Sequence, residues 1–445
     1  MKIKAFSTDG YGVCRSREVF STRQLLSGSV GVEITDEKIH GDFQGFGVAL
    51  TGSSCYLLAK MDEEKRRALL CDVYGKDGLG LSVARVSVAS SDYSAELYSY
   101  EDEQGNFSVR KDEEYVLPVL RQVAESYPSV QFFASPWSPP GRMKTGGSIC
   151  GGFMREGFID EYVDYIVNFV RAYEENGIHI RAITPQNEPE TDQAGRMPAC
   201  YWSPETEAKF AIALRKKADA QGLPFEIWLC DHHFSLWRRV LWQLDEFPEL
   251  EKCVSAAAFH YYAGGIDLIE NIRAKYPSLD FHFTEGGPRL YDNYATDHCK
   301  WAVAMSQALN HGLKSFTGWN LLLDETGGPN VGPFFCGGLI TENSVNKELS
   351  YSGQYRAFKH FAPYVERGAE VLRVSVTGED HGLWQYPKQK ESVVACAVRN
   401  PGGSIVLEII NPDISEKRQT AISVKGETIY LELMPGSVNT VIINE

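Results

Sequence analysis

The chain lacks each short motif that would settle its chemistry at a glance. No two of its ten cysteines form a CxxC pair, which excludes zinc-ribbon and thioredoxin-type sites. HExxH and GxSxG are missing, so metalloprotease and serine-hydrolase readings have no support. Gly45-Phe46-Gly47 is followed by Leu50 where a dinucleotide-binding loop needs its third glycine. No run approaches the roughly 18 apolar residues needed to span a bilayer, and Met1–Gly10 has no apolar signal-like core. Positive charge is scarce: 44 Lys and Arg against 59 Asp and Glu leave a net charge of −15. With no basic–aromatic interleaving either, no nucleic acid partner is expected, and no integral membrane association. The expectation is a soluble, cytoplasmic protein with reduced thiols; a mature secreted chain would read the same way.

What is present is alternation. Across 445 residues, strand candidates near 43–50, 81–88, 130–134, 178–184, 225–230, 255–259, 280–284 and 315–318 alternate with helical patterns. Phe158, Tyr162, Ile166, Phe169 and Tyr173 recur at helical spacing, and Gly177 stands where a helix C-terminus wants glycine. Ser203-Pro204 is an N-cap followed by proline at the first helical position. Eight strand–helix units predict an α/β (β/α)8 barrel over residues 41–365. Beyond 366 the texture turns to short β-prone runs separated by turns such as Asn400-Pro401-Gly402-Gly403. This predicts an antiparallel β-sandwich side domain over 366–445, joined by strands from 1–40.

In such a barrel, the strand C-termini carry the chemistry. Glu188 and Glu285 end the fourth and seventh strands. Two carboxylates on one rim are the minimum for hydrolysing a glycosidic bond. Asn187, beside the first, is an amide that can hold a sugar hydroxyl. The other strand ends supply Asp92, Trp137, Asp231, His260, Tyr262, Trp319 and Asn320, the mixture of aromatic and polar groups that a sugar's ring face and hydroxyl rim require. Asp231-His232-His233 looks like a ligand cluster. Successive strand residues face opposite ways, so the three cannot meet one ion without a local bend. No metal and no cofactor are expected. A carbohydrate-binding protein on a degenerate barrel is the rival from another class, and the presence of both glutamates weighs against it.

Taken in order, Gly45-Phe46-Gly47, Arg85-Val86, Ser90-Ser91-Asp92-Tyr93-Ser94, Ala134-Ser135-Pro136-Trp137, Thr184-Pro185-Gln186-Asn187-Glu188-Pro189, Thr284-Glu285-Gly286-Gly287, Trp319-Asn320-Leu321 and Gly327-Gly328-Pro329-Asn330 resemble glycoside hydrolase family 30, the glucosylceramidase-like retaining enzymes. That resemblance implies Glu188 as general acid/base and Glu285 as nucleophile. It places Asp92, Trp137, Asn187, Trp319 and Tyr262 around the sugar, with His260 and Arg85 as supports. It implies a carbohydrate or glycoconjugate substrate and a retaining β-glycosidase acting on terminal sugars. β-D-Glucosides are the first choice; β-D-xylosides, β-D-fucosides and endo-β-1,6-glucan cleavage are the alternatives. Val331–Gly338 departs from the family by lacking a further asparagine after Asn330. Tyr261-Tyr262 stands where relatives carry Trp-Tyr. The two glutamate roles require Glu188 to be held protonated while Glu285 stays ionised.

Overall fold

A computed structural model describes residues 2–17, 20–21, 29–378 and 392–444. The remaining parts of the flanking segments 1–40 and 366–445 lie outside the described residues. The chain divides into two compact units. One comprises Phe46–Leu290 and Ser315–Ser350; the other comprises Met1–Gly45, Tyr291–Lys314 and Tyr351–Glu445.

The first unit is a closed barrel of eight strands: β1 (Gly45–Ala49), β2 (Val83–Val88), β3 (Gln131–Pro136), β4 (Ile180–Ile183), β5 (Glu226–His233), β6 (Ala256–His260), β7 (Asp280–Glu285) and β8 (Ser315–Gly318). Each strand neighbours the next in sequence, and the pairings are parallel. Closure removes the edges that an open sheet would expose. Side chains fill the interior rather than leaving a pore: Val83, Phe133, Ala182, Trp228, Ala256 and Ala258 meet there, with Trp228 stacked on His282. The glycine-rich turn Gly45-Phe46-Gly47 serves this closure. A Cβ at Gly47 would sit 2.3 Å from the Val83 carbonyl oxygen, so only glycine lets the two strands approach.

Helices cover the barrel outside: α1 (Gly52–Lys60), α2 (Glu63–Tyr74), α3 (Val116–Ser126), α4 (Ile159–Glu175), α5 (Pro204–Ala220) and α6 (Trp237–Glu246). In α4 the expected stripe of Tyr162, Ile166, Phe169 and Tyr173 is buried, while Phe158 sits just ahead of the helix. Gly177 follows with φ +75°. In α5 the Ser203 hydroxyl accepts from the Thr206 backbone N–H, as the cap motif predicts. Two features were not expected from the sequence. Helix α1 starts on Gly52-Ser53-Ser54, a triplet that reads as loop, and is held by the Thr51 cap. A small sheet of Leu322–Asp324, Ile340–Glu342 and Leu349–Tyr351 follows β8.

The second unit carries a ten-stranded, mostly antiparallel sheet. Strand Lys2–Thr8 pairs with Ser437–Asn444, and Val30–His40 pairs with Glu370–Thr377, so the N-terminal strands join the C-terminal ones as expected. Alternate residues, among them Val32, Leu407, Ile422, Leu431 and Val441, converge on one apolar core. Two helices group with this sheet, His298–Asn310 and Gly353–Phe361, although a division at residues 40 and 365 counts them with the barrel. The reason lies in their contacts: Asn310 donates to the Ala395 carbonyl, and His360 is held between the hydroxyls of Thr8 and Thr440.

Candidate active site

The C-terminal rim of the barrel is a strained backbone. Ala89 after β2, Glu188 after β4, Cys230 and Asp231 in β5, and Asn320 after β8 all have φ between +48° and +75°. Left-handed residues other than glycine cost roughly 1–3 kcal/mol each and persist only where packing over-determines them. Here the strain aims side chains inward. Between Cys230 and His232 the pairing of β5 with β6 slips by one residue, leaving Asp231 as the extra residue of a bulge.

Asp231 is a fully buried hub. Among the described residues its Oδ2 accepts from Arg85 (2.8 Å), Ser135 (2.7 Å) and Thr184 (2.7 Å); its Oδ1 receives Thr284 (2.8 Å) and His260 Nε2 (3.0 Å). Burial alone would raise its carboxyl. The Arg85 charge, His260 and the hydroxyl donors overcome that and hold it far below the ordinary range. Arg85, also fully buried, donates to Glu285 Oε2, to Asn187 Oδ1 (2.8 Å) and to Ser135 (3.1 Å). Its guanidinium lies over the ring faces of Trp137 (4.8 Å) and Trp319 (5.4 Å), which stack on each other at 5.3 Å.

Glu188 and Glu285 meet the same imidazole. His260 Nδ1 is 3.2 Å from Glu188 Oε1, and His260 Nε2 is 3.9 Å from Glu285 Oε2. Tyr262 donates to the other Glu285 oxygen at 2.9 Å. The two acids, 97 positions apart in sequence numbering (188 and 285), therefore face one cavity across one ring.

The sequence profile of the Glycosyl hydrolase family 30 TIM-barrel domain matches residues 43–365. The chain belongs to glycosyl hydrolase family 30. It is 27% identical to an endo-1,6-β-D-glucanase of Neurospora crassa over 404 residues, 86% of this chain and 82% of that protein. It is 24% identical to the lysosomal acid glucosylceramidase of Mus musculus, over 85% of this chain and 79% of the mouse protein. Among solved structures, SrfJ from Salmonella typhimurium superposes with a TM-score of 0.87 at 26% identity, covering 100% of both chains. The protein is thus a glycoside hydrolase, and a carbohydrate substrate follows.

Two further expected residues, Asp92 and Asn320, are both buried but differently placed. Asp92 is buried next to Tyr93, which packs with Trp137 and Trp319; among the described residues its Oδ1 has no hydrogen-bond partner, and burial with the charges of Glu285 and Glu188 pushes its carboxyl well up. Val331 N–H donates to the Asp92 carbonyl, and a Cβ at Gly332 would lie 2.6 Å from Asp92 Cβ. The loop that departs from the family therefore lies directly on Asp92. Asn320 is buried outside this network: its Oδ1 receives the Thr51 hydroxyl at 2.8 Å, and among the described residues its Nδ2 has no hydrogen-bond partner.

Glu188 differs from expectation. Burial works to raise its carboxyl, but the His260 hydrogen bond and the charges of His232, His260 and His233 outweigh it and hold it at about 2. Burial works to lower His260, yet Glu285, Asp231 and Glu188 lift it to about 9. The two shifts run in opposite directions and favour the proton on the imidazole over the carboxyl.

Several contributors were missed. Gln193 donates to Glu188 Oε2 at 3.2 Å. Glu207 accepts from the left-handed Cys230 N–H at 2.7 Å and is itself fixed by Arg239 at 2.8 Å. His232 Nδ1 lies 3.8 Å from Glu188 Oε1. The Asp-His-His run was the available signal for the last. The bulge supplies the local bend that a regular strand would not.

Proposed function

We propose that this family 30 enzyme is a retaining β-glycosidase that removes terminal β-D-glucosyl groups by double displacement. The observation that carries the reading is the pair of carboxylates on the two nitrogens of His260. Two acids gathered at one imidazole can serve a single anomeric carbon, one as nucleophile and the other as proton donor.

In the first step the Glu285 carboxylate attacks the anomeric carbon while the bond to the leaving oxygen breaks. Arg85 and Tyr262 donate to the two oxygens of Glu285 and hold it in place. The proton held by His260 passes from Nδ1 to Glu188 Oε1, 3.2 Å away, and Glu188 delivers it to the leaving oxygen, so that the imidazole ends neutral and Glu188 a carboxylate. In the second step Glu188 removes a proton from water, the oxygen attacks the anomeric carbon, and the Glu285 ester bond breaks. The sugar leaves with its starting configuration. Since Asn187 Oδ1 is taken by Arg85, the amide NH2 is left to donate to the neighbouring sugar hydroxyl. The Trp137–Trp319 stack offers the ring face, and Asp92 the partner for outer hydroxyls. No step calls on a cofactor.

The choice of exo action rests on the loop at Val331–Gly332 lying against Asp92 and narrowing that end of the pocket. The 27% identity to an endo-1,6-β-D-glucanase favours a second reading, internal cleavage of β-1,6-glucan. A panel of nitrophenyl β-glycosides, followed by product analysis on β-1,6-glucan, separates them. Glucose alone supports exo action; oligosaccharides support the endo reading. Glu285→Ala is expected to lose turnover and, with added azide, to yield an α-glycosyl azide. Full turnover by that variant would overturn the mechanism.

A further inference from the structure

We propose that Glu188, His232 and His260 form a site for a zinc- or copper-class divalent ion, and that the bound ion competes with the catalytic proton and reversibly stops hydrolysis. Only the competition clause rests on Glu188 being the acid/base. The site itself stands on geometry.

One ligand atom from each of the three residues lies within 4.8 Å of the other two. Glu188 Oε1 is 3.2 Å from His260 Nδ1 and 3.8 Å from His232 Nδ1. Ligands bound at about 2.0–2.1 Å in a tetrahedron stand about 3.3 Å apart; the first distance already fits, the second needs a shift of about half an ångström, and the two imidazole nitrogens, within 4.8 Å of each other, need to close by at most about 1.5 Å. His232 is buried, at 5% exposure, and among the described residues its Nδ1 has no hydrogen-bond partner. An unsatisfied ring nitrogen aimed at a carboxylate is costly to maintain unless something occupies the gap.

The surroundings complete the case. His260 Nε2 lies 3.0 Å from Asp231 Oδ1, which fixes the ring with Nδ1 toward the cavity. This is the carboxylate–histidine arrangement that orients metal-binding imidazoles. The cluster also sets three carboxylates, Glu188, Asp231 and Glu285, against one permanent cation, Arg85. A doubly charged ion offsets that excess. Two imidazoles and one carboxylate suit zinc or copper(II) better than the oxygen-seeking magnesium or calcium. A carboxylate bound to the ion cannot pass a proton to the leaving oxygen.

Chelator-treated protein titrated with zinc chloride in a calorimeter is the test, with cobalt(II) absorption in the visible as a check on the ligands. The expected result is uptake of one ion per chain, competition with substrate, and reversal by chelator. His232→Gln and His232→Phe are expected to weaken uptake by more than the roughly 10–100-fold that loss of an outer-shell partner costs. No saturable uptake by the parent protein overturns the site, as does uptake unchanged in both His232 variants. Uptake at His232 that leaves glycoside hydrolysis unhindered overturns the competition. If the metal-free protein cleaves no β-glycoside at all, the functional reading fails, while the titration still decides the metal site.

Discussion

Replacing Arg85 with methionine tests the electrostatic logic of the pocket. Arg85 is fully buried and faces the carboxylates of Asp231 and Glu285. Removing one partner of a buried ion pair costs about 3–5 kcal/mol, because the remaining charge is stranded in a poorly polarisable interior. For a unit of this size the thermal midpoint moves roughly 2 °C per kcal/mol, so Arg85→Met is expected to melt about 7 °C below the parent. Adding Asp231→Asn discharges one stranded carboxylate and is expected to recover most of that loss. Turnover is expected to behave differently. Arg85 contacts Glu285 directly, and losing one charge-stabilising donor costs about 100–1000-fold in kcat. The double variant regains stability without regaining rate. Scanning calorimetry and nitrophenyl glycoside kinetics on the parent, both single variants and the double variant provide the full cycle. A single variant that melts within roughly 2 °C of the parent, or a double variant less stable than Arg85→Met, would refute the reasoning.

Other outcomes follow from the same geometry. Glu188→Ala is expected to keep most activity on glycosides with strongly acidic leaving groups and to lose it on alkyl glycosides; equal losses on both, measured as kcat/KM, would remove its role as proton donor. Trp319→Ala removes the stacked partner of Trp137 and one face over Arg85, and is expected to raise KM for monosaccharide glycosides about fivefold, a stacking face being comparable to an aromatic pair of about 0.5–1.5 kcal/mol; an unchanged KM would remove Trp319 from the sugar site. Asp297, in the sheet-bearing unit, is lifted by burial to about 7 while its Oδ2 accepts from Trp301 Nε1. A raised folded value means that the native state holds a proton that the unfolded chain releases, so stability is full below about pH 4 and falls as pH rises through about 7. Discounted for its partial exposure, the effect is about 2 kcal/mol. Asp297→Asn is expected to match the parent at acid pH and exceed it by that amount above neutrality; a constant offset across pH in urea titrations would contradict this.

Much of the barrel was legible because its helices carry chemical punctuation. Ser203-Pro204 and Gly177 marked boundaries that the structure keeps to within a few residues. Helix α1 was illegible because Gly52-Ser53-Ser54 has poor intrinsic helicity and is stabilised by its cap and its burial. The pattern over 266–275 gave a 3-10 turn, Ile266–Ile269, and a single helical turn, Glu270–Arg273, since apolar spacing alone does not fix length. At the rim, strand-end position identified Glu188, Glu285, Asp92 and Trp137. It could not reveal that Asp231 belongs to a bulge, because bulges arise from pairing between strands rather than from local sequence. For the same reason Gln193 and Glu207, distant in sequence from the strand ends they support, gave no signal of their own. The depressed Glu188 was equally hidden, since it depends on three histidines brought together only by β5 and β6.

The Asp231 hub has a consequence for how this pocket can change over time. All the donors around it come from separate barrel strands, so altering any one of them disturbs the others, and that floor resists innovation. The segment from Gly327 to Gly338, by contrast, is tethered through its own turns, through main-chain bonds to Asp92, Pro288 and Leu290, and through the hydroxyls of Tyr93 and Ser53. New sugar preferences can therefore arise there by exchanging one surface ribbon, leaving the bond-breaking apparatus beneath it intact.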